Sequence, residues 1–268
     1  MNPFVFSCIT PHGGEIIPEL SGDQPNRMGT TRESMLKLGE AMERANPDTI
    51  IVLTPHGTRI HGQFSITDSE RMLGSLEDHG AEFQLERKVD RELARRIYEI
   101  AASKDLPIGM LNYGTSSGPY SCLPLDWGAM VPLRFMPNVP IVVITTSREV
   151  SLDRHVELGQ VLKQVSEQTS KRIALIASCD WSHTHDSAGP YGFDAAASQL
   201  DEEVVQFIKT NDLEGMIGFS PEYIDAAKPD GIWQTMILAG AIPPENRKVE
   251  FLSYEAPTYF GLICTAYY

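Results

Sequence analysis

The sequence has no closely spaced pair of cysteines, no long apolar run and no excess of basic residues. Its four cysteines are scattered and include no Cys-x-x-Cys pair, so we expect reduced, mostly buried thiols in a cytoplasmic protein. No apolar stretch approaches transmembrane length, and the N-terminus lacks a signal-peptide pattern. The cysteines are Cys8, Cys122, Cys179 and Cys264.

The deficit of basic residues gives a net charge of -14. That charge argues against a nucleic-acid partner and against an anionic membrane surface. The hydrophobic content of 42% is that of an ordinary globular protein. We find neither a solenoid repeat nor a linker, so we predict a single domain spanning residues 1–268.

Short apolar runs alternate with amphipathic stretches, which is typical of an α/β protein with a mostly parallel central sheet flanked by helices. The polar segment 70–83 lacks clear periodicity, and we interpret it as a surface loop that folds over the site. Thr30 or Thr31 is the expected cap of the first helix. The predicted strands are 4–9, 49–52, 63–67, 141–145, 173–178, 249–254 and 259–267, and the predicted helices begin at residues 30 or 31, 88, 125, 152, 194, 212 and 232.

The motif Thr-Pro-His-Gly occurs twice, each time directly after an apolar strand, and it contains His12 and His56. Proline cannot donate to a sheet ladder and glycine permits unusual backbone angles, so each strand ends there. Ligands of open α/β sheets bind at the carboxyl ends of strands. Two imidazoles delivered to that edge could share one metal ion.

A third strand, 173–178, is followed by two more histidines, His183 and His185. A single loop histidine is usually satisfied by backbone hydrogen bonds, but three strand ends that carry histidine favour a functional site. We interpret the remaining histidines, His61, His79 and His155, as solvated.

A catalytic Fe(II) centre with two histidines needs a carboxylate as its third ligand. The candidates are Glu15, Asp180, Asp230 and Glu255. Asp180 could equally be a turn residue that accepts backbone amides, and Asp230 could cap the helix that follows it. Composition alone leaves the choice open.

These motifs together resemble the class III extradiol dioxygenases, the relatives of the ring-opening subunit of protocatechuate-cleaving dioxygenase. The wider superfamily includes the Memo-like proteins. The resemblance covers essentially the whole chain. It is carried by Pro-His-Gly-Gly-Glu-Ile-Ile-Pro at 11–18, Thr-Pro-His-Gly at 54–57, Leu-Asp-Trp-Gly at 125–128, Asp-Trp-Ser-His at 180–183 and Ser-Tyr-Glu at 253–255.

The resemblance implies that His12 and His56 are ligands of a non-haem Fe(II), with Asp230 as the closest match to the third ligand. It also implies that His183 is the acid/base residue. The family's enzymes generally carry a histidine where this chain has Trp127. Tryptophan can stack on an aromatic substrate but cannot transfer a proton, so the substrate differs from a simple catechol or the ring-cleaving activity is altered.

The implied activity is extradiol opening of a catecholic or aminophenolic ring with O2, in which the metal orients both reactants and His183 moves a proton. Two alternatives belong to other classes. One is a Memo-like metal-binding protein without ring cleavage, and the other is a Zn-dependent hydrolase that uses the same ligands. We expect a small aromatic substrate and O2 as partners, no nucleic acid or membrane, and a homo-oligomer, with a second subunit left open.

Overall fold

The computed structural model describes residues 2–268, and each central apolar run of the sequence forms a buried strand in it. The strands are β1 (Phe6–Thr10), β2 (Thr49–Thr54), β3 (Phe64–Thr67), β4 (Arg71–Asp78), β5 (Ala81–Lys88), β6 (Ile108–Leu111), β7 (Cys122–Pro124), β8 (Ile141–Thr145), β9 (Ile173–Ser178), β10 (Val249–Glu255) and β11 (Leu262–Tyr267). The helices are α1 (Gly29–Ala45), α2 (Arg91–Ser103), α3 (Trp127–Leu133), α4 (Leu152–Glu167), α5 (Ala196–Lys209), α6 (Pro221–Ala227) and α7 (Ile232–Ala241). Short 3-10 helices occupy Gly14–Ile16, Pro18–Leu20, Leu213–Gly218 and Pro244–Asn246.

One large sheet has the strand order β10-β11-β1-β9-β2-β8-β3-β6. Its central strands β1, β9, β2 and β8 run parallel, whereas β11 pairs with β1, and β3 with β8, in the antiparallel sense. The sheet is therefore mixed, with its parallel part at the centre. A second sheet has the order β5-β4-β7.

Alternating side chains of the central strands enter two separate cores, one on each face of the large sheet. In β2, Ile51 and Leu53 join the core that contains α2, α4, α5 and α7, whereas Ile50 and Val52 join the core that contains α1 and α3. Each such side chain contributes about 1.5–3 kcal/mol when fully buried. The predicted class, an α/β sheet flanked by helices, is confirmed.

The prediction of a loop at 70–83 is wrong, because β4 and β5 form a hairpin that pairs from Arg71–Lys88 to Asp78–Ala81. Its two central turn residues, His79 and Gly80, both have positive φ, at 50° and 78°. That is the backbone of a tight turn that matches strand twist. The hairpin keeps many charged side chains in solvent, which hides the strand alternation in the sequence.

Other differences are local. Helix α1 begins at Gly29, with Met28 as its N-cap and no side-chain cap, so the predicted caps Thr30 and Thr31 lie within the helix. The predicted helix at 212–219 is a 3-10 helix, and β6, β7 and α6 were not predicted. Within residues 2–268, none of the helices is long and apolar enough to cross a membrane.

Candidate metal centre and its cavity

The carboxyl ends of β1, β9 and β2 meet at one edge of the sheet, because these strands are parallel neighbours. His12 lies two residues beyond the end of β1, and His56 lies two residues beyond the end of β2. Asp230 arrives from the turn before α7. The topology therefore brings together three side chains that are far apart in the sequence.

The three side chains form a small triangle of potential ligand atoms. His12 Nε2 lies 3.1 Å from His56 Nε2. Asp230 Oδ2 lies 3.2 Å from His12 Nε2 and 3.4 Å from His56 Nε2. His12 and Asp230 are buried, whereas the side chain of His56 is 26% exposed. The cluster is thus reachable from one side only.

Neighbouring groups fix the proton of the His12 ring. Ser178 Oγ donates its hydrogen to the Gly128 carbonyl, so it can only accept from His12 Nδ1, 3.0 Å away. The neutral ring therefore carries its proton on Nδ1 and presents a bare Nε2 to the cluster. Hydrogen bonding of the other ring nitrogen is how metal-binding histidines are commonly oriented.

Asp180 holds this arrangement in place. Its Oδ1 accepts the backbone N–H of His12 at 2.8 Å, and its own N–H donates to Asp230 Oδ1 at 2.9 Å. Asp180 Oδ2 lies 3.5 Å from His12 Nε2, but Asp230 is the carboxylate whose oxygen reaches both histidines. The other two carboxylate candidates face elsewhere, because Glu15 binds Arg27 and Glu255 accepts the N–H of Thr31.

The buried charges act strongly on one another. Burial lowers the pKa of His12, but Asp180 and Asp230 outweigh this effect and raise the pKa to about 9. Burial alone would raise the pKa of Asp230, yet His12 holds it well below its usual value. The pKa of Asp180 is raised, chiefly by burial. The cluster therefore carries negative charge that needs a cation, which a proton on His12 or a metal ion can supply.

The donor set fits a metal ion. Two nitrogens held about 2.1 Å from one ion at right angles would be about 3 Å apart, which matches the observed separations of 3.1–3.4 Å in the cluster. Two imidazoles and one carboxylate on a single triangular face are the ligand set typical of non-haem Fe(II) sites with open positions. His12, His56 and Asp230 are the residues that would hold the ion.

Trp127 lies against the cluster. Its ring stacks on His56 with centroids 4.1 Å apart and an interplanar angle of 25°. Asp126, the N-cap of α3, accepts from Thr54 Oγ1 at 2.6 Å and ties Trp127 to the end of β2. Trp127 is 47% exposed but is not among the residues that line the cavity described below.

A cavity of about 580 Å³ opens beside the cluster, and His56 and Asp230 form part of its wall. His183 also lines it, with Nδ1 donating to the Lys228 carbonyl at 2.8 Å, so that Nε2 is the free acceptor. Phe260 stacks on the His183 ring at 5.7 Å. His183 therefore lines the same cavity as His56 and Asp230, two of the three candidate ligands.

The remaining histidines differ from one another. His185 is not among the residues that line the cavity, and its Nε2 lies 2.8 Å from Asp201 Oδ2. His61 and His79 are exposed as expected. The expectation of a solvated His155 is wrong: it is fully buried on α4 and packs edge-on against Phe64 at 4.7 Å.

Two residues of the site were missed as functional candidates, and a third, Asp180, was considered only as a possible metal ligand or a turn residue. Arg148 and Tyr191 line the cavity, and Asp180 supports the cluster through its backbone and side chain. Arg148 could have been found, because it follows β8, a buried parallel strand that ends at the same edge. Tyr191 lies in a long irregular loop and gives no sequence signal.

Comparison with known proteins is consistent with this geometry. Residues 7–262 match the family described as the catalytic LigB subunit of aromatic ring-opening dioxygenase. Protein CA_C1420 of Clostridium acetobutylicum is 27% identical over 252 residues, which are 92% of this chain but 54% of that protein. A MEMO1 family protein of Pyrococcus furiosus, PF1638, is 28% identical over 218 residues, covering 74% of this chain and 68% of that one.

The fold has a solved counterpart. The crystal structure of uncharacterized protein JW3007 from Escherichia coli K12 superposes with a TM-score of 0.63 at 17% identity, and covers 97% of this chain and 98% of that one. At that identity the likeness concerns the fold alone. The family match spans nearly the entire chain and confirms the resemblance seen in the sequence motifs. The chain belongs to the family of the catalytic LigB subunit of aromatic ring-opening dioxygenases.

Proposed function

We propose that this protein is a non-haem Fe(II)-dependent dioxygenase that opens a catecholic or aminophenolic ring with O2 by extradiol cleavage. The observation that carries the proposal is the triangle of His12, His56 and Asp230 beside a cavity that His183 also lines. A bound Fe(II) would supply charge stabilisation and a template for orienting the substrate. We propose residues 1–268 as a single catalytic domain, and its cytoplasmic location and homo-oligomeric state stay predictions.

In this proposal His183 is the proton-transfer group. The Lys228 carbonyl keeps the proton of the neutral ring on Nδ1, so Nε2 can take a proton from a substrate hydroxyl and return it later. Phe260 stacks on the His183 ring, and the ring of Tyr191 lies nearly perpendicular to it. A histidine suits the task because its ordinary pKa lies near working pH.

Asp180 and Ser178 act through His12 in this proposal. Ser178 keeps the bare Nε2 of His12 directed at the cluster, and Asp180 holds the His12 backbone and Asp230 together. Trp127 stacks on His56, and although it is not part of the cavity wall we propose that it borders the edge of the substrate ring nearest His56. Its contribution would be stacking and exclusion of water, since indole is not a proton-transfer group.

A second candidate is a Memo-like metal-binding protein without ring cleavage. It is favoured by the similarity to the MEMO1 family protein of Pyrococcus furiosus and by Trp127 at the position where the dioxygenases generally have histidine. The same metal cluster serves both candidates, so metal binding alone does not separate them.

The deciding experiment is anaerobic reconstitution with Fe(II), followed by O2-uptake assays on catechols, aminophenols and gallate-like acids. We expect uptake of one O2 per ring opened, with no uptake by metal-free or Zn-loaded protein. His12→Ala, prepared in parallel, controls for free iron. Stoichiometric Fe(II) without uptake on any ring of the panel would contradict the dioxygenase and favour the Memo-like candidate.

A further inference from the structure

One edge of the large sheet carries backbone groups that no neighbouring strand uses. β6 lies at the end of the sheet and pairs there with β3. The N–H of Asp68 donates to the Leu111 carbonyl, so Leu111 and, two residues earlier, Gly109 turn their backbone groups toward β3. The N–H and C=O groups of Ile108 and Met110 therefore point outward, where no strand within residues 2–268 pairs with them.

The opposite edge of the same sheet has features that keep an edge strand from pairing. β10 carries charged side chains at Glu250 and Glu255, and its register shifts between Phe251 and Ser253. Charges and bulges of this kind prevent an edge strand from adding a strand of another chain. β6 has the sequence Ile-Gly-Met-Leu, without a charge, a proline or a register shift. The edge of β6 is therefore suited to pairing, and that of β10 is not.

The β6 edge continues into an uncharged loop with two exposed aromatic rings. Residues 106–125 form the longest stretch of the chain without Asp, Glu, Lys or Arg, although these residue types make up 22% of the sequence. Tyr113 and Tyr120 are 69% and 78% exposed, more than any other large hydrophobic residue within residues 2–268. The rest of the loop at residues 112–121 is mostly Ser, Gly, Thr and Asn. Tyrosines among such small polar residues are typical of loops that bind proteins.

Hydrogen bonds at its base hold the loop in place. Ser121 Oγ donates to Asn112 Oδ1 at 2.9 Å, and the same oxygen accepts the N–H of Tyr113 at 2.7 Å. The N–H of Glu70, just before β4, donates to Ser121 Oγ at 3.0 Å. Because the loop is already ordered, it loses little conformational entropy when it binds a partner.

A second copy of the chain suits this surface. Two β6 strands related by a twofold axis would run antiparallel and present the same outward groups to each other. With Gly109 on the axis, Ile108 of one copy faces Met110 of the other, and each such pair exchanges both of its N–H···O bonds. Two copies with a net charge of -14 repel each other, so a contact through an uncharged surface costs least.

We propose that the outer edge of β6 and the loop at residues 112–121 form the interface of a homodimer, in which the two large sheets join into one continuous sheet. Tyr113 and Tyr120 pack against the partner beside the paired strands. The inference goes beyond the proposed ring-opening function and is independent of it. The residues of the metal cluster and of its cavity wall all lie outside residues 106–125.

The test is sedimentation velocity of the full chain over a dilution series, combined with hydrogen exchange of the β6 amides. We expect a dimer in which the amides of Ile108 and Met110 exchange more slowly as protein concentration rises. Tyr113→Glu removes an aromatic contact and adds an acid to each side of the interface, so it should raise the dimer Kd by at least about 30-fold. Met110→Pro removes an outward N–H, which an edge strand tolerates, and should give a folded monomer.

Leu36→Glu is the matched control. It adds the same charge at a residue that is 55% exposed on α1, which packs against β10 and β11 at the far end of the sheet. The dimer Kd should then stay within about 3-fold of its original value. Circular dichroism checks that each variant is folded.

Two results would overturn the proposal. One is an unmodified chain that sediments as a monomer throughout the dilution series, which would exclude a second copy as the occupant of this edge. The other is a dimer whose Kd is unchanged in folded Tyr113→Glu and Met110→Pro proteins, because its copies would then meet through a different surface.

Discussion

Two histidine–carboxylate groups lie near the same edge of the sheet, yet they differ in whether their hydrogen-bonding capacity is used. In the group of His12, His56 and Asp230, two ring nitrogens and a carboxylate oxygen converge within 3.4 Å beside a cavity. In the group of His185 and Asp201, the two side chains satisfy each other at 2.8 Å. The first group needs a cation to complete it, and the second does not.

In the group of His185 and Asp201, the carboxylate also accepts hydrogen bonds from other donors. Asp201 is fully buried, and it accepts from the Ser182 N–H at 3.0 Å, from Tyr254 Oη at 3.0 Å and from His185. Gly261 passes so close that a Cβ there would lie 2.0 Å from Asp201 Oδ2. The carboxylate of Asp201 already accepts from three donors and acts as a structural tie, whereas one oxygen of Asp230 faces two histidine ring nitrogens, which is the geometry of a candidate metal ligand.

The largest effect should come from breaking the first group. Asp230→Ala and His12→Ala each remove one of three ligands, so we expect loss of stoichiometric metal, measured by elemental analysis after gel filtration. Asp180→Ala should keep one metal per chain but weaken its binding by about 10- to 100-fold, since it acts through the backbone of His12. Glu15→Ala is the control. Metal retained in Asp230→Ala and lost in Asp180→Ala would reverse our assignment.

The next effect concerns the two histidines that lie two residues apart. His183→Ala should keep Fe(II) and lose turnover by about 10² to 10⁴, the usual contribution of a positioned proton-transfer group. His185→Ala should instead lower the melting temperature and leave turnover per folded molecule nearly unchanged, because its ring binds Asp201. An iron-replete, fully active His183→Ala protein would remove the acid/base role.

A substitution in the group of His185 and Asp201 should lower the free energy of unfolding and leave the metal content unchanged. Asp201→Ala leaves the buried Ser182 N–H and the half-buried donors of His185 and Tyr254 without their acceptor, so we expect a loss of about 3–5 kcal/mol in the free energy of unfolding, measured by urea denaturation. Metal content per folded chain should stay stoichiometric. Glu202→Ala, on the exposed face of the same helix, is the control and should change stability by less than about 0.5 kcal/mol. A metal-free but stable Asp201→Ala protein would contradict the contrast between the two groups.

The smallest effect belongs to a histidine with no carboxylate at all. Burial lowers the pKa of His155 from 6.5 to about 4, so the unfolded chain binds a proton that the folded chain refuses between those pH values. Stability should therefore fall as pH decreases from 6.5 to 4, by up to about 3 kcal/mol from this residue. In His155→Leu that part of the acid sensitivity should be absent, as followed by urea denaturation at several pH values.

His61→Ala provides the matched control, because it removes a histidine whose side chain is exposed rather than packed in a core. Parallel pH profiles for the unmodified protein and His155→Leu would mean that His155 gains its proton inside the folded protein. The contrast drawn here between His155, which has no carboxylate partner, and the histidines of the two carboxylate groups would then fail.

The central sheet and two of the three cluster residues could be predicted from sequence because their signals are local. An apolar run of strand length followed by Pro-His-Gly sets both the strand and the place where the imidazole leaves it. The proximity of His12 and His56 depends on β9 pairing between β1 and β2, and that pairing is a tertiary fact. The choice of Asp230 over Asp180 depends on distances below 4 Å that no spacing encodes.

Two of the wrong predictions, those for His155 and for residues 70–83, concern segments whose sequence carries some signal of the observed structure. His155 shares a helical face with Leu158, Gly159 and Leu162, at the spacing of a buried stripe, so its burial could have been predicted. The hairpin of β4 and β5 was harder to recognise, because its exposed face carries charges and its turn uses His79 before glycine rather than the more common asparagine.

The hydrogen bonds of Asp180 to His12 and Asp230 have a consequence for the order in which the protein folds. The hydrogen bond from His12 to Asp180 closes a separation of 168 residues, and the contact of His12 with Asp230 closes one of 218. Contacts of such long range form late, since the chain between them must first be ordered. A metal ion held by His12, His56 and Asp230 would therefore be captured only after β1, β9 and the turn before α7 have met, and the amide hydrogens of that turn should exchange more slowly once the ion is bound.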